Sequence, residues 1–284
     1  MIIFKHSGDL IKYLAAKRKK NGKVGFVPTM GALHRGHLSL IKRSKKKAAT
    51  TVSSIFVNPV QFNNPEDFQK YPSTTEKDIL MLEESGCDVL FMPSVEEVYP
   101  DEGSRHKHFE LGHLEEVLEG KFRPGHFQGV CVVVEKLLNI VQPDILYLGQ
   151  KDYQQCLVIK KLIGLMDQKI KLVISPIVRE KNGLAMSSRN LRLTEEEREK
   201  ASELYKTLQH IKKHLHKKNF IELRNEAIET LQRQGFKTDY LEMVKSKDLH
   251  IISEKKNHKN AVILIAAYLN NVRLIDNILI NESY

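Results

Sequence analysis

The stretch VGFVPTMGALHRGHLSLI, residues 24–41, decides how the chain is read. Residues 23–27 are a short β-branched and apolar run, which predicts a buried strand, and Pro28 predicts its end because proline has no N–H to add to a ladder. Past two glycines, Gly31 and Gly36, the apolar positions Leu38, Leu40 and Ile41 take helical spacing and run into the lysine-rich residues 42–47. A glycine-bearing turn between strand and helix suits phosphate, since free N–H groups and the positive end of the helix dipole meet the anion and small residues let it approach. His34 and His37 lie three apart, so both imidazoles fall on one side of the first helical turn, placed to donate hydrogen bonds to a polyphosphate as charge grows on it. Zinc is disfavoured, because no Cys, Asp or Glu stands at ligand spacing from the pair.

Outward from this stretch the same grammar repeats. Residues 7–19 read as a helix stopped by Asn21-Gly22. A strand over 51–57 feeds Asn58-Pro59-Val60-Gln61-Phe62, a polar loop at the carboxyl edge of a parallel strand, where open α/β sheets take their ligands. Gln61 and Asn58 are candidates there to read hydroxyls or a carboxylate. A helix over 74–85 and a strand over 88–92 follow. Residues 93–120 read as loop with a strand near 107–111 and a short helix near 114–118. Arg123-Pro-Gly-His-Phe then opens an apolar helix over 130–141, setting Arg123 and His126 beside a helix start, with Arg123 an anion candidate or an ordinary surface arginine.

A strand over 144–148 ends in Gly149-Gln150-Lys151-Asp152 before a helix to 166, a second place for ribose and phosphates, with Lys151 as the charge and Asp152 as a ribose or metal contact. After a strand over 171–175, the segment GLAMSSRN (183–190) offers Ser187, Ser188 and Arg189 as an anion clamp of two hydroxyls and a guanidinium, though a capping loop would read the same. From Thr194 the texture changes to a charged amphipathic helix, a second helix over 221–234 stopped at Gly235, and strands over 240–244, 261–268 and 273–279. The expected fold is α/β: a Rossmann-like parallel-sheet domain over 1–188 and a smaller α+β domain over 189–284 acting as a lid.

Composition narrows the function classes. The formal charge of +10 invites a nucleic-acid partner, but the basic runs are rich in lysine and lack interleaved aromatics for base stacking, so solvated helix faces and an anionic small-molecule substrate explain them better. No secretory leader and no apolar run of membrane-spanning length is visible, and Cys87, Cys131 and Cys156 are odd in number and set in apolar surroundings. A soluble cytoplasmic protein without disulfides is expected, with no nucleic-acid or membrane partner.

Taken in order and spacing, PTMGALHRGHLSLI, IFVNPVQFNNPEDFQKYP, RPGHFQGV, KLLNIVQPD, GQKDYQQ, VREKNGLAMSSRN and RLIDN resemble the pantothenate synthetases (pantoate–β-alanine ligases) of the nucleotidyltransferase superfamily. The resemblance covers nearly the whole chain and is weakest over 93–120 and 194–235. It implies an ATP-dependent ligase that joins (R)-pantoate to β-alanine through a pantoyl adenylate, releasing AMP and pyrophosphate. It implies His37, as proton donor, and His34 as catalytic residues, with ATP contacts at Met30, Gly31, Ala32, Leu33, His34, Arg35, Gly36, His37, Gly149, Gln150, Lys151, Asp152, Val178, Met186, Ser187, Ser188 and Arg189. Gln61 and Gln155 would take pantoate and β-alanine, Met30 would pack pantoate's methyls, Mg2+ would accompany ATP, and the protein would be a homodimer. The chain departs from the family pattern at Arg35, Gln150, Ser73 and Asn270-Asn271-Val272. The alternatives are an adenylyltransferase or tRNA-handling relative of the same superfamily, and a non-catalytic nucleotide-binding module.

Overall fold

The computed structural model describes residues 1–19, 22–252 and 260–280. Six strands, Ile2–Phe4 (β1), Val24–Thr29 (β2), Thr50–Ile55 (β3), Val89–Phe91 (β4), Ile145–Gly149 (β5) and Lys171–Ser175 (β6), form one parallel sheet in the order β1-β4-β3-β2-β5-β6. Alternation along β2 distributes its side chains between two layers. Val24 and Phe26 join Leu10, Leu14, Val130, Leu138 and Ile159 from helices Ser7–Arg18, His126–Val141 and Tyr153–Leu165, while Val27 joins Leu40, Ile41 and Leu82 from helices Arg35–Lys45 and Thr75–Glu84. Helices therefore cover both faces, as a parallel sheet of apolar strands requires.

The strand does not stop at Pro28. Pro28 pairs with Ser54 and Thr29 with Ile55. The Val24 carbonyl faces β5, accepting from the Asp144 amide, so by alternation the missing N–H of Pro28 also faces β5, where pairing has already ended at Phe26–Leu146. Proline is tolerated because no ladder partner stands opposite it. β2 and β5 part there, at the point where strand order switches direction, and a cleft opens between their carboxyl ends.

Other expectations need adjustment. β1 carries no sequence signal, because three residues are too few to display alternation; it pairs with β4 at the sheet edge. The strand expected near 107–111 does not form, since the side-chain amide of Gln128 engages both the N–H and the carbonyl of Phe109. Short helices His113–Glu116 and Glu119–Phe122 replace the one expected near 114–118. The charged helix after Thr194 is broken at Ser202 into Glu195–Ala201 and Glu203–His214. The helix stop assigned to Asn21 lies outside the described residues. No helix among the described residues is long and apolar enough to cross a membrane.

Three antiparallel strands, Phe236–Lys245 (β7), Ala261–Leu269 (β8) and Val272–Leu279 (β9), make a second sheet in that order. One face packs on Leu204, Leu208, Ile211, Leu223 and Leu231, a core that already includes Leu184 and Leu193. The other face does not meet solvent: Tyr240, Val244, Val262, Leu264 and Ala266 pack with Leu118, Tyr153 and Leu157 of the first unit.

Helix His126–Val141 crosses the loop after β3 at Gly129, where an added Cβ would lie 2.4 Å from the Val60 carbonyl oxygen and 2.8 Å from Gln61 Cα. Alanine within a helix normally gains about 1 kcal/mol over glycine. Here the sign should reverse: Gly129→Ala should cost about 1–3 kcal/mol through overpacking, read as a lowered urea midpoint. An unchanged midpoint would mean that the loop yields freely.

Candidate functional site

The turn after β2 is held by one carboxylate. Gly31 and Ala32 both adopt positive φ, 81° and 48°, and Asp78, 1% exposed, accepts the Ala32 amide at 2.8 Å and the Leu33 amide at 2.7 Å. The Gly31 amide goes to Thr29 Oγ1 at 3.2 Å. The amides of Gly31, Ala32 and Leu33, residues that the resemblance places among the ATP contacts, are thus engaged within the protein. A buried N–H left without a partner is costly, so Asp78 takes two of these donors internally.

His34 caps the helix Arg35–Lys45: its Nδ1 accepts from the Gly36 amide at 3.1 Å, and the His34 amide reaches back to His37 Nδ1 at 3.4 Å. The two rings stack with centroids 4.0 Å apart. An added Cβ at Gly36 would lie 2.8 Å from the His34 ring, so glycine is what lets the ring fold onto the helix start. With both Nδ1 atoms accepting from backbone, the neutral tautomer of each ring carries its proton on Nε2 and keeps that N–H for another partner. Burial, then the neighbouring His37 and Lys151, pull His34 down to about 2. Burial also lowers His37, to about 4, with Asp152 opposing and Lys151 assisting. In the free protein both rings are neutral at pH 7, so the pair offers N–H dipoles and not imidazolium charge.

The cleft at the switch point gathers residues from four strand-to-helix connections on this edge. Met30, His34, Gly36 and His37 line it from the β2 turn, Gln61 from the β3 loop, Gly149, Lys151, Asp152 and Gln155 from after β5, and Val178, Met186, Ser187, Ser188 and Arg189 from after β6. Gly31, Ala32, Leu33, Arg35 and Gln150 do not line it. Gln150 turns toward the second sheet, donating to Asn277 Oδ1 at 3.1 Å.

The principal cations of the cleft each have a carboxylate. Lys151 Nζ lies 3.0 Å from Asp152 Oδ1. Arg189 makes bonds of 2.7 and 3.3 Å to Asp67, which also receives Arg192 at 3.0 Å. Burial disfavours charge on Asp67, but Arg189 outweighs it and holds the carboxyl below its usual range. In the serine clamp, Ser187 Oγ accepts from the Arg189 amide, and Ser188 Oγ donates to the Ala32 carbonyl at 3.0 Å, tying this segment to the histidine turn.

Asn58, a candidate ligand reader in the sequence, is instead a support. It is buried, receives Tyr99 OH at 2.8 Å, and donates to the Gly129 carbonyl and to Gln61 Oε1. Gln61 Nε2 in turn lies 2.8 Å from Met30 Sδ, so its amide is oriented before any ligand arrives. A further contributor, His126, is set beside a helix start by the sequence reading but given no role there. Its Nδ1 donates to the Gln61 carbonyl at 2.8 Å and its Nε2 accepts from Arg123 at 3.0 Å, a neutral ring lowered to about 3 by burial and by Arg123. Only Arg123-Pro-Gly-His hints at this group.

The pantoate-beta-alanine ligase family model matches residues 2–279. A pantothenate synthetase of Cytophaga hutchinsonii is 46% identical over 271 residues, spanning 94% of this chain and 95% of the relative. One of Bacteroides thetaiotaomicron is 44% identical over 275 residues, spanning 96% and 97%. Among crystal structures, a pantothenate synthetase of Thermus thermophilus matches with a TM-score of 0.91 at 39% identity, covering 99% of this chain and 100% of that one. The pantoate-beta-alanine ligase of Francisella tularensis, complexed with beta-gamma ATP and beta-alanine, matches with a TM-score of 0.79 at 40% identity, covering 99% and 98%.

His34, His37 and His126 are all lowered on folding, so the unfolded chain takes up protons first as the pH falls. Their contribution to stability is complete above the ordinary value of 6.5 and is lost between 6.5 and the folded values of about 2, 4 and 3. Each histidine should add up to about 1.4 kcal/mol per pH unit to the slope in this window. Urea denaturation at pH 7, 6 and 5 should show that loss, and His34→Gln with His37→Gln should flatten it. An equal slope in the double variant would mean that the rings are charged in the fold.

Proposed function

The chain belongs to the pantoate–β-alanine ligase family, and from that membership we propose how its own cleft performs the ATP-dependent condensation of pantoate with β-alanine to pantothenate, AMP and pyrophosphate. The observation that carries the reading is the stacked, neutral His34–His37 pair, each ring keeping its Nε2–H for a ligand, set in the switch-point cleft with Lys151.

In the first step a pantoate carboxylate oxygen bonds to the α-phosphorus of ATP, the bond to the bridging oxygen breaks, and pyrophosphate leaves with the electron pair. No protein nucleophile is needed; the demand is for alignment and for donors aimed at the growing charge. The Nε2–H groups of His34 and His37 supply such donors, and their low proton affinity rises once a polyphosphate lies against them. His37 is then the residue able to pass a proton toward the leaving group. Lys151 and Arg189 exchange Asp152 and Asp67 for phosphate oxygens, which replaces one anion by another instead of exposing a bare cation. The amides of Gln61 and Gln155 hold pantoate, with Met30 against its methyls. In the second step the amine of β-alanine attacks the acyl carbon, AMP leaves, and the amine sheds its proton.

Mg2+ belongs to the reading as part of the substrate. Among the cleft residues Asp152 is the carboxylate that could add an oxygen to a cation carried by the triphosphate, where the ion would neutralise phosphate charge. The three cysteines are buried and unpaired, in keeping with a reducing cytoplasm. The homodimer rests on the family resemblance alone.

Incubation with ATP, pantoate and β-alanine should yield AMP only when both organic substrates are present; AMP that needs tRNA, or none, would overturn the reading. His34→Ala and His37→Ala should each slow single-turnover pyrophosphate release by roughly a hundredfold or more, the usual loss for one transition-state donor. Near-normal rates in both would make the pair structural.

Gln61→Ala and Gln155→Ala should divide the substrates. Calorimetry should find pantoate binding weakened in both and ATP binding nearly kept, and the opposite pattern would reverse the assignment.

A further inference from the structure

We propose that Glu119 is a positioning residue for the organic acid, the hub that sets Gln61 and Gln155 at the separation pantoate requires. The inference rests on the ligase reading and on the assignment of those two amides to pantoate. Glu119 is 7% exposed and opens the one-turn helix Glu119–Phe122 between the two sheets. It reaches both amides by separate routes.

Toward Gln155 the route is backbone. The Glu119 amide donates to Gln154 Oε1 at 3.0 Å, and Gln154 Nε2 donates to the Leu114 and Val117 carbonyls at 2.8 Å each. Gln154 directly precedes Gln155 in the helix that starts at Tyr153, so these bonds fix the first turn from which Gln155 enters the cleft. Toward Gln61 the route is charge. The Glu119 carboxylate lies 3.7 Å from Arg123 Nη1, Arg123 donates to His126, and His126 donates to the Gln61 carbonyl. Arg123 and His126 themselves line the cleft.

The hub is held from behind by the second sheet. Arg273 of β9 binds both carboxylate oxygens at 2.8 Å and is itself fixed by Asp239 of β7, and Tyr240 OH donates to the same carboxylate at 2.8 Å. A fork-on-fork pair leaves the carboxylate one orientation. Burial opposes charge on Glu119, yet Arg273 outweighs it and brings the carboxyl down to about 2, so the anion persists at any working pH. A small cavity between the units, lined by Glu119, Arg123, His126, Gln155 and Tyr240, gives Arg123 room to move once its anion is gone. None of the hydrogen bonds and ion pairs that make up this network ends on His34, His37, Lys151 or Arg189; Lys151 and Asp152 line the same small cavity, so the nucleotide side is reached only through space and should respond far less than the two amides.

Steady-state kinetics on the full chain separate the outcomes. Wild-type activity tests the ligase reading first, and its absence would sink that reading before the hub is in question. Glu119→Gln keeps shape and removes charge; it should raise the KM for pantoate about tenfold while the KM for ATP stays within about twofold, because a misplaced substrate group costs binding and alignment and not phosphate contact. Arg273→Lys and Tyr240→Phe loosen the hub without emptying it and should shift the pantoate KM in the same direction by a few-fold. They carry the test alone if Glu119→Gln does not fold. Equal rises in both KM values, or lowered stability with unchanged KM values, would show that Glu119 only joins the two sheets.

Discussion

The carboxylate of Asp78 is what the site's geometry depends on most directly. The chain leaves β2 through Gly31 and Ala32, both at positive φ, a conformation that an alanine adopts only at a cost of order 1 kcal/mol or more. Asp78 stabilises it by accepting two successive amides, Ala32 and Leu33, from a position on the opposite helix Thr75–Glu84. Once those amides are fixed, His34 must fall at the N-cap. Its ring then has the Gly36 amide to accept, and His37 follows one turn on. Both tautomers, and the Nε2–H group each ring keeps for a ligand, are set by this chain of hydrogen bonds. Ser188, bound to the Ala32 carbonyl, extends the same constraint to the segment that carries Arg189.

What is legible in the sequence is what obeys a local period or a local turn rule. The parallel sheet, the helices on both faces and the cleft edge follow from apolar runs ending in Gly, Pro and polar residues, and the histidine pair follows from spacing alone. What is not legible depends on partners far apart in sequence. Nothing near Leu33 announces Asp78, 45 residues on. Nothing near Phe109 announces the Gln128 amide that replaces a strand partner. Pro28 misleads for a similar reason: whether a missing N–H ends a strand depends on whether a neighbour stands on that side, and here β5 has already turned away. The ordered blocks of sequence identify the family correctly because each block records such a long-range partnership without displaying it.

The electrostatics of the cleft differ from those of the molecule's surface. The chain is strongly basic overall, yet the principal cations at the cleft are matched: Lys151 by Asp152, and Arg189 and Arg192 by Asp67. A half-buried guanidinium without an anion would be costly, and an intramolecular carboxylate removes that cost while leaving the pair exchangeable. The histidines meet the same problem differently, by staying neutral. Long-range attraction of anions can thus come from the exposed lysines, while selectivity comes from cleft cations that already contact a carboxylate and exchange it when a ligand enters.

The relation between the two sheets limits how the cleft can change shape. A lid swinging about residues 178–190 would have to part the apolar contacts of Tyr240, Val244 and Leu264 with Leu118, Tyr153 and Leu157. It would also break the Arg273–Glu119 pair, whose acid is 7% exposed. A buried carboxylate left without its guanidinium is strongly disfavoured, so the position of the second sheet and the state of Glu119 are linked. By contrast, the contacts that cross the cleft mouth from Asp67 to Arg189 and Arg192 are partly exposed and end on groups that a phosphate can replace. The β7–β9 sheet thus holds Glu119 from behind, and the contacts that a phosphate can replace lie at the mouth.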